Sequence, residues 1–110
     1  LATTYKILGQ VSPADTAVND LYTVPSATSA VVSSITATNT DGTASDISIY
    51  VVPSGGTAGT DNALVYQASL GANTLQAFTL GITMGAADKL QVELETANAV
   101  TLQAFGSEFA

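Results

Sequence analysis

Residues Asp20 to Asn39 read DLYTVPSATSAVVSSITATN, a short apolar strand, a Pro-Ser turn region and a long β-branched strand in unbroken succession. Leu21, Tyr22 and Val24 form the first run, and Pro25, which has no N–H to donate, ends ladder pairing. Val31, Val32, Ile35 and Thr36 carry the second, because side chains branched at Cβ suit a pleated surface. This is how a β-sandwich begins. Outward from it, the same alternation recurs and no segment longer than a turn shows a helical period of 3.6.

Toward the N-terminus, residues 4–11 (TYKILGQV) alternate loosely up to the Ser12-Pro13 turn signal, which suits an edge strand or an arm with a tip free to pair. Residues 12–19 make a small polar loop. Toward the C-terminus, the Asp41-Gly42 turn predicts a hairpin in which Gly42 takes positive φ at no steric cost. In the strand Asp46–Val52 Ile47, Ile49 and Val51 share one face and Ser48, Tyr50 and Val52 the other, and Pro53 closes it. Residues 54–62 (SGGTAGTDN) are a mobile surface loop. In residues 63–70 Leu64, Tyr66, Ala68 and Leu70 alternate against Val65, Gln67 and Ser69.

After a turn at 71–73, LQAFTL (75–80) is a strand, and 81–85 is a short apolar piece that pairs briefly or runs along the end of the sandwich. KLQVELE (89–95) turns Leu90, Val92 and Leu94 inward and Gln91, Glu93 and Glu95 outward. The last strand is 100–109, where Gly106 permits a bulge or a close approach. The pentapeptide Thr74–Phe78 recurs at Thr101–Phe105, as two strands sharing a sheet face or as a duplication. About eight strands at sandwich-like spacing predict an all-β fold: one antiparallel, jelly-roll-like β-sandwich over 1–110, with 1–19 as a possible N-terminal arm and loop.

Composition narrows function mainly by exclusion. Charged residues make up 10% of the chain, against roughly 25% in an average soluble domain. Nine carboxylates face only Lys6 and Lys89, for a net charge of -7 and no arginine, so nucleic acid and anionic membranes are not expected partners. No apolar run approaches the roughly 20 residues of a membrane-spanning helix, and the N-terminal residues lack a signal-peptide pattern. With no histidine and no cysteine, the common nucleophilic triads are excluded and no thiolate can ligate a metal.

Three weaker candidates remain. Lys6 and Lys89 read as solvated lysines rather than as the base of a Ser-Lys pair. Glu93 and Glu95 stand roughly 7 Å apart on one strand face, a separation carboxylate pairs use in glycoside hydrolysis, but an outward polar face explains them more simply. Asp41, Asp46, Asp61 and Asn62 offer oxygen ligands to a hard cation, yet match no calcium motif and are explained by turn and loop chemistry. No metal or cofactor is expected. The outer positions, rich in Thr, Ser, Gln and Ala, cost little to desolvate and favour a surface that other proteins bind.

The motifs Leu21-Tyr-Thr-Val-Pro25, Ala30-Val-Val-Ser-Ser-Ile35, Leu80-Gly-Ile-Thr83 and Ala104-Phe-Gly-Ser-Glu108, with Asn39 and Ala87-Asp88 in the same order, resemble a family of small virion proteins of tailed phages, especially those of cyanobacteria and marine bacteria. The likeness runs from Leu8-Gly-Gln10 to Glu108. It implies a non-enzymatic capsid decoration (cement) protein that binds and stabilises the major capsid protein lattice, or a small tail, neck or fibre-associated protein. The expected setting is the virion, assembled in the host cytoplasm, with a homo-oligomer, a trimer by preference, and other virion proteins as partners. A host-glycan-binding module is the other class of reading. The contact candidates are Tyr5 and Ile7, the loop from Ser54, Gly55 and Gly56 to Asn62, and the end Phe105 to Phe109; a plainer reading makes these an edge strand, a disordered loop and a core strand.

A charge placed in the strand that opens the sandwich should be intolerable, because an unpaired carboxylate in an apolar core costs several kcal/mol. Val32→Asp and Ile35→Asp should each abolish soluble folding, checked by soluble yield and circular dichroism.

Overall fold

The computed structural model describes residues 2–110 as nine antiparallel strands in two packed sheets. They are β1 (Thr3–Val11), β2 (Asn19–Thr23), β3 (Ser29–Asn39), β4 (Ser45–Val52), β5 (Ala63–Leu70), β6 (Leu75–Phe78), β7 (Ile82–Met84), β8 (Lys89–Leu94) and β9 (Val100–Phe109). Sheet A runs β1-β9-β3-β6, with β7 also on β3, and sheet B runs β2-β8-β4-β5. β6 pairs with residues 35–38 of β3 and β7 with residues 30–32. The two are halves of one interrupted edge, so nine strands fill the eight positions expected of a jelly roll. Among the described residues no helix is long and apolar enough to cross a membrane.

The core lies between the sheets. Val32, Ile35 and Ala37 from β3 and Val100, Leu102 and Ala104 from β9 meet Ile47 and Ile49 of β4 and Leu90, Val92 and Leu94 of β8. Each set has the two-residue period of a strand with one face covered, broken only in β3, where a bulge at Ser33 sets Val32 and Ile35 three residues apart. The inward face of 89–94 is as its alternation predicts.

Four expectations are corrected. The Asp41-Gly42 turn does not close a hairpin: β3 lies in sheet A and β4 in sheet B. Gly42 does not take positive φ. The turn is built instead on the buried Asn39 side chain, which accepts from the Asp41 N–H (2.8 Å) and donates to the carbonyls of Thr43 (3.0 Å) and Leu70 (3.1 Å). An Asx-type contact of this kind turns the chain without needing left-handed backbone.

In β5 the alternation is reset at Gln67. This residue takes φ 50, its N–H leaves the ladder for Ser48 Oγ (2.9 Å), and the register with β4 shifts there. Leu64 and Tyr66 are consequently exposed, while Val65 packs on the core and Leu70 is buried.

The repeated pentapeptides lie in one sheet but on opposite faces. Across β3, Thr38 pairs with Leu75 on one side and with Thr101 on the other. The copies are therefore offset by one residue, and in a strand one residue inverts the face. Leu102 is buried and Leu75 exposed.

The N-terminal segment is not a free arm. β1 pairs with β9 along its length, and Ala2 and Ala110 exchange hydrogen bonds of 2.7 and 3.0 Å. One edge of β1 stays open: among the described residues it pairs in the sheet with β9 alone.

Two glycines let backbones meet. A Cβ on Gly106 would clash with the Val31 carbonyl, and one on Gly9 with the Leu21 carbonyl, where sheet A abuts sheet B. Overpacking of this kind costs about 1–3 kcal/mol. Gly106→Ala should therefore lower the melting temperature by roughly 4–8 °C per kcal/mol lost, whereas Gly42→Ala, with open space around it, should leave it nearly unchanged. Thermal unfolding of both variants checks this.

Candidate interaction surface

Directly opposed residues in an antiparallel ladder point to the same side of the sheet, so the register gives sheet A's outer face. β1 contributes Thr3, Tyr5, Ile7 and Gln10, and β9 contributes Thr101, Gln103, Phe105, Phe109 and Ser107, the last buried between its neighbours. β3 adds Ser29, Val31, Ser34, Thr36 and Thr38, with Leu75, Ala77 and Thr83 from β6 and β7. None of these side chains is charged.

At one end the face becomes apolar. Tyr5 is 83% and Ile7 53% exposed, far more than large apolar side chains usually show. With Val31, Ser33, Phe105 and Ser107 they line a hollow of about 500 Å³. Lys6 also borders it, but alternation turns its side chain to the other face, where its ammonium meets Glu108 at 3.2 Å. Phe109 lies in the same row, opposite both Thr3 and Ser29.

Two of the three expected contact segments, the one around Tyr5 and Ile7 and the one from Phe105 to Phe109, are thereby brought together. The third is not. The loop holding Ser54, Gly55, Gly56 and Asn62 joins β4 to β5 in sheet B. It is cross-braced: Asn62 Nδ2 donates to Thr57 O (2.9 Å), Gly59 N donates to Asn62 Oδ1 (3.0 Å), and Ser54 N donates to Asp88 Oδ1 (2.9 Å). Val31 was missed as a contact residue because its neighbour Val32 carries the inward signal, and simple alternation would have placed it outside.

The charges gather elsewhere. Asp20, Asp46, Glu93 and Glu95 lie on the outer side of sheet B, with Lys89 bound to Asp20 at 3.3 Å. Asp46, Ser48, Gln67, Glu93 and Glu95 line a shallow hollow of about 350 Å³. Its acids have structural duties: Glu93 accepts from the Tyr50 hydroxyl (2.8 Å) and Glu95 from the Asp46 N–H (3.1 Å). Burial, followed by Glu93, pushes the Tyr50 phenol up from its ordinary value. Asp41, Asp46, Asp61 and Asn62 are not assembled into a centre, and among the described residues no group of three or more acids is placed to hold a metal.

Glu108 is the exception among the carboxylates. It projects between the sheets, where Oε2 accepts from Tyr22 of β2 (2.6 Å) and Oε1 from Lys6 (3.2 Å). This cluster latches the end of sheet A that carries the apolar patch to sheet B. The Tyr22 hydroxyl holds the Glu108 carboxyl below its ordinary range; partial burial opposes this, and Lys6 adds to the lowering. Burial first, then Glu108, pushes the Tyr22 phenol well above its own.

No protein-family model matches the chain, and no characterised protein does at the sequence level. Among solved structures, a chain in the structure of infectious bursal disease virus Gx strain is similar over 97% of this chain and 31% of its own length, at 14% identity and a TM-score of 0.40. A chain in the structure of the Gt strain of that virus is similar over 96% and 31%, at 11% identity and a TM-score of 0.42. The present chain spans about a third of each of them.

A carboxylate whose folded-state pKa is depressed stabilises the fold above its unfolded value, about 4.3 for glutamate, and that contribution is lost as pH falls through the folded value. Tyr22→Phe removes the principal cause of the depression. Its stability should decline less steeply than the wild type's on acidification through the carboxylate range, in chemical denaturation series at stepped pH; parallel curves would show that the latch does not couple to protons.

Proposed function

We propose that this chain is a non-enzymatic structural protein of a virion, a capsid decoration protein that binds and stabilises the lattice of the major capsid protein. The observation that carries the reading is the outer face of sheet A: in a chain of net charge -7 it holds no charged side chain and ends in an apolar patch in which Tyr5 and Ile7 are exposed and Val31, Phe105 and Phe109 are half-buried. Depletion of charge with aromatic enrichment is the compositional mark of an interface centre, and contiguous exposed apolar surface marks interaction sites. The resemblance of LYTVP, VVSSI and AFGSE to tailed-phage virion proteins supports the same conclusion.

A shell repeats its subunits, so a modest interface suffices when several are engaged together. A homo-oligomer, a trimer by preference, would place several neutral faces on one lattice. The protein is then assembled with the particle in the host cytoplasm. Against catalysis stand the absence of histidine and cysteine and the structural hydrogen bonds of Glu93 and Glu95.

Quantitative mass spectrometry of purified particles tests this. The expected result is a copy number comparable to that of the major capsid protein. A few copies per particle would assign the chain to the tail, neck or fibre, and absence from particles, with binding to a glycan array, would replace the proposal by the glycan-binding reading.

A further inference from the structure

We infer that the chain docks through the outer face of sheet A onto an uncharged, apolar protein surface of the shell, and that the carboxylates of sheet B are thereby turned to solvent, giving a decorated particle an acidic exterior. This rests on the decoration reading and adds to it an orientation and the chemistry of the partner.

The argument is one of desolvation. Docking through sheet B would bury Asp20, Asp46, Glu93 and Glu95 with Lys89 as the one cation on that face, itself already bound to Asp20. Each buried carboxylate left without a cation costs several kcal/mol, so that face would demand a basic partner. Sheet A makes no such demand. Its threonines, serines and glutamines lose water cheaply, and Tyr5, Ile7 and Phe105 around the hollow are the kind of aromatic and aliphatic anchors on which binding energy concentrates.

A partner complementary to this face is itself uncharged, since a charge placed against it would be desolvated with nothing to pair with. The carboxylates of sheet B stand a full sandwich away. Packed sheets lie about 10 Å apart, beyond the screening length of about 8 Å at physiological ionic strength, so they contribute little to docking. Attachment is therefore insensitive to salt.

The test uses the recombinant full chain re-added to particles depleted of it, with co-sedimentation and electrophoretic mobility as readouts. Raising salt from about 0.1 M to about 1 M, which shortens the screening length from about 10 Å to about 3 Å, should leave binding unchanged or tighter. Decorated particles should migrate faster toward the anode than depleted ones. Tyr5→Ser and Ile7→Ser, at exposed positions outside the core, should each weaken binding at least several-fold, with circular dichroism confirming the fold. Glu95→Gln should bind as the wild type does while reducing the gain in mobility.

Release of bound chain by salt, or decoration that leaves mobility unchanged, would overturn the orientation while leaving the decoration function in place. Wild-type binding by the folded Tyr5→Ser and Ile7→Ser variants would do the same. A free chain that dimerises in sedimentation equilibrium and is made monomeric by those two substitutions would assign the face to a second copy instead. Failure of the chain to bind particles under any of these conditions would remove the function and the orientation together.

Discussion

The close approach of the β3 backbone to Gly106 is the constraint on which the shape of sheet A depends. β9 pairs with both β1 and β3, and at the level of Phe105 and Gly106 each neighbour carries an extra residue. Leu8 is inserted between the pairs Ile7–Phe105 and Gly9–Ala104, and Ser33 between Val32–Gly106 and Ser34–Phe105. Such bulges bend a strand and increase its twist. Ser33 Oγ donates to the Phe105 carbonyl at 3.1 Å, which fixes the irregularity in place. The missing Cβ on Gly106 lets the bent strands stay in contact. Beyond this level Thr3 to Ile7 are exposed while Leu8 reaches the core, so the bend separates the part of sheet A that makes the core from the part that presents the patch.

The same level of the structure explains where charge is tolerated. Glu108 lies past the bend, in a space that sheet B only partly covers, and there a carboxylate is held by a phenol and an ammonium rather than excluded. A position one residue away in β9 would have put it on the outer face among Phe105, Ser107 and Phe109. The alternation of a strand thus acts as a sorting device, with hydrogen-bonding charge on one side and neutral side chains on the other.

Alternation also accounts for how much of the fold was legible in the sequence. The period of two is local, so the strands from Asn19 onward, the inward face of β8 and the role of Gly106 as a close approach could be read directly. What depended on pairing partners could not. The Asp41-Gly42 signal is shared by hairpins and by other turns, and only Leu70, distant in sequence, reveals that Asn39 organises it. The bulge at Gln67 leaves no compositional trace, so the face of β5 was misjudged. Tyr5, Ile7, Phe105 and Phe109 were individually visible as apolar residues near the ends of the chain. Their assembly into one surface with Val31 follows from a register that joins residues about a hundred positions apart, which no local pattern encodes.

Ala2 and Ala110 are hydrogen-bonded to each other at the far end of β1 and β9, so the polypeptide enters and leaves the domain at a single point. In topological terms the fold is a nearly closed ring. It is therefore suited to being spliced into a loop of another protein as a cassette, and equally to having its ends joined and new ones opened in the β4–β5 connection. Any passenger attached at either end would emerge beside Thr3 and Phe109, on the rim of the neutral face, and would be carried close to whatever that face meets.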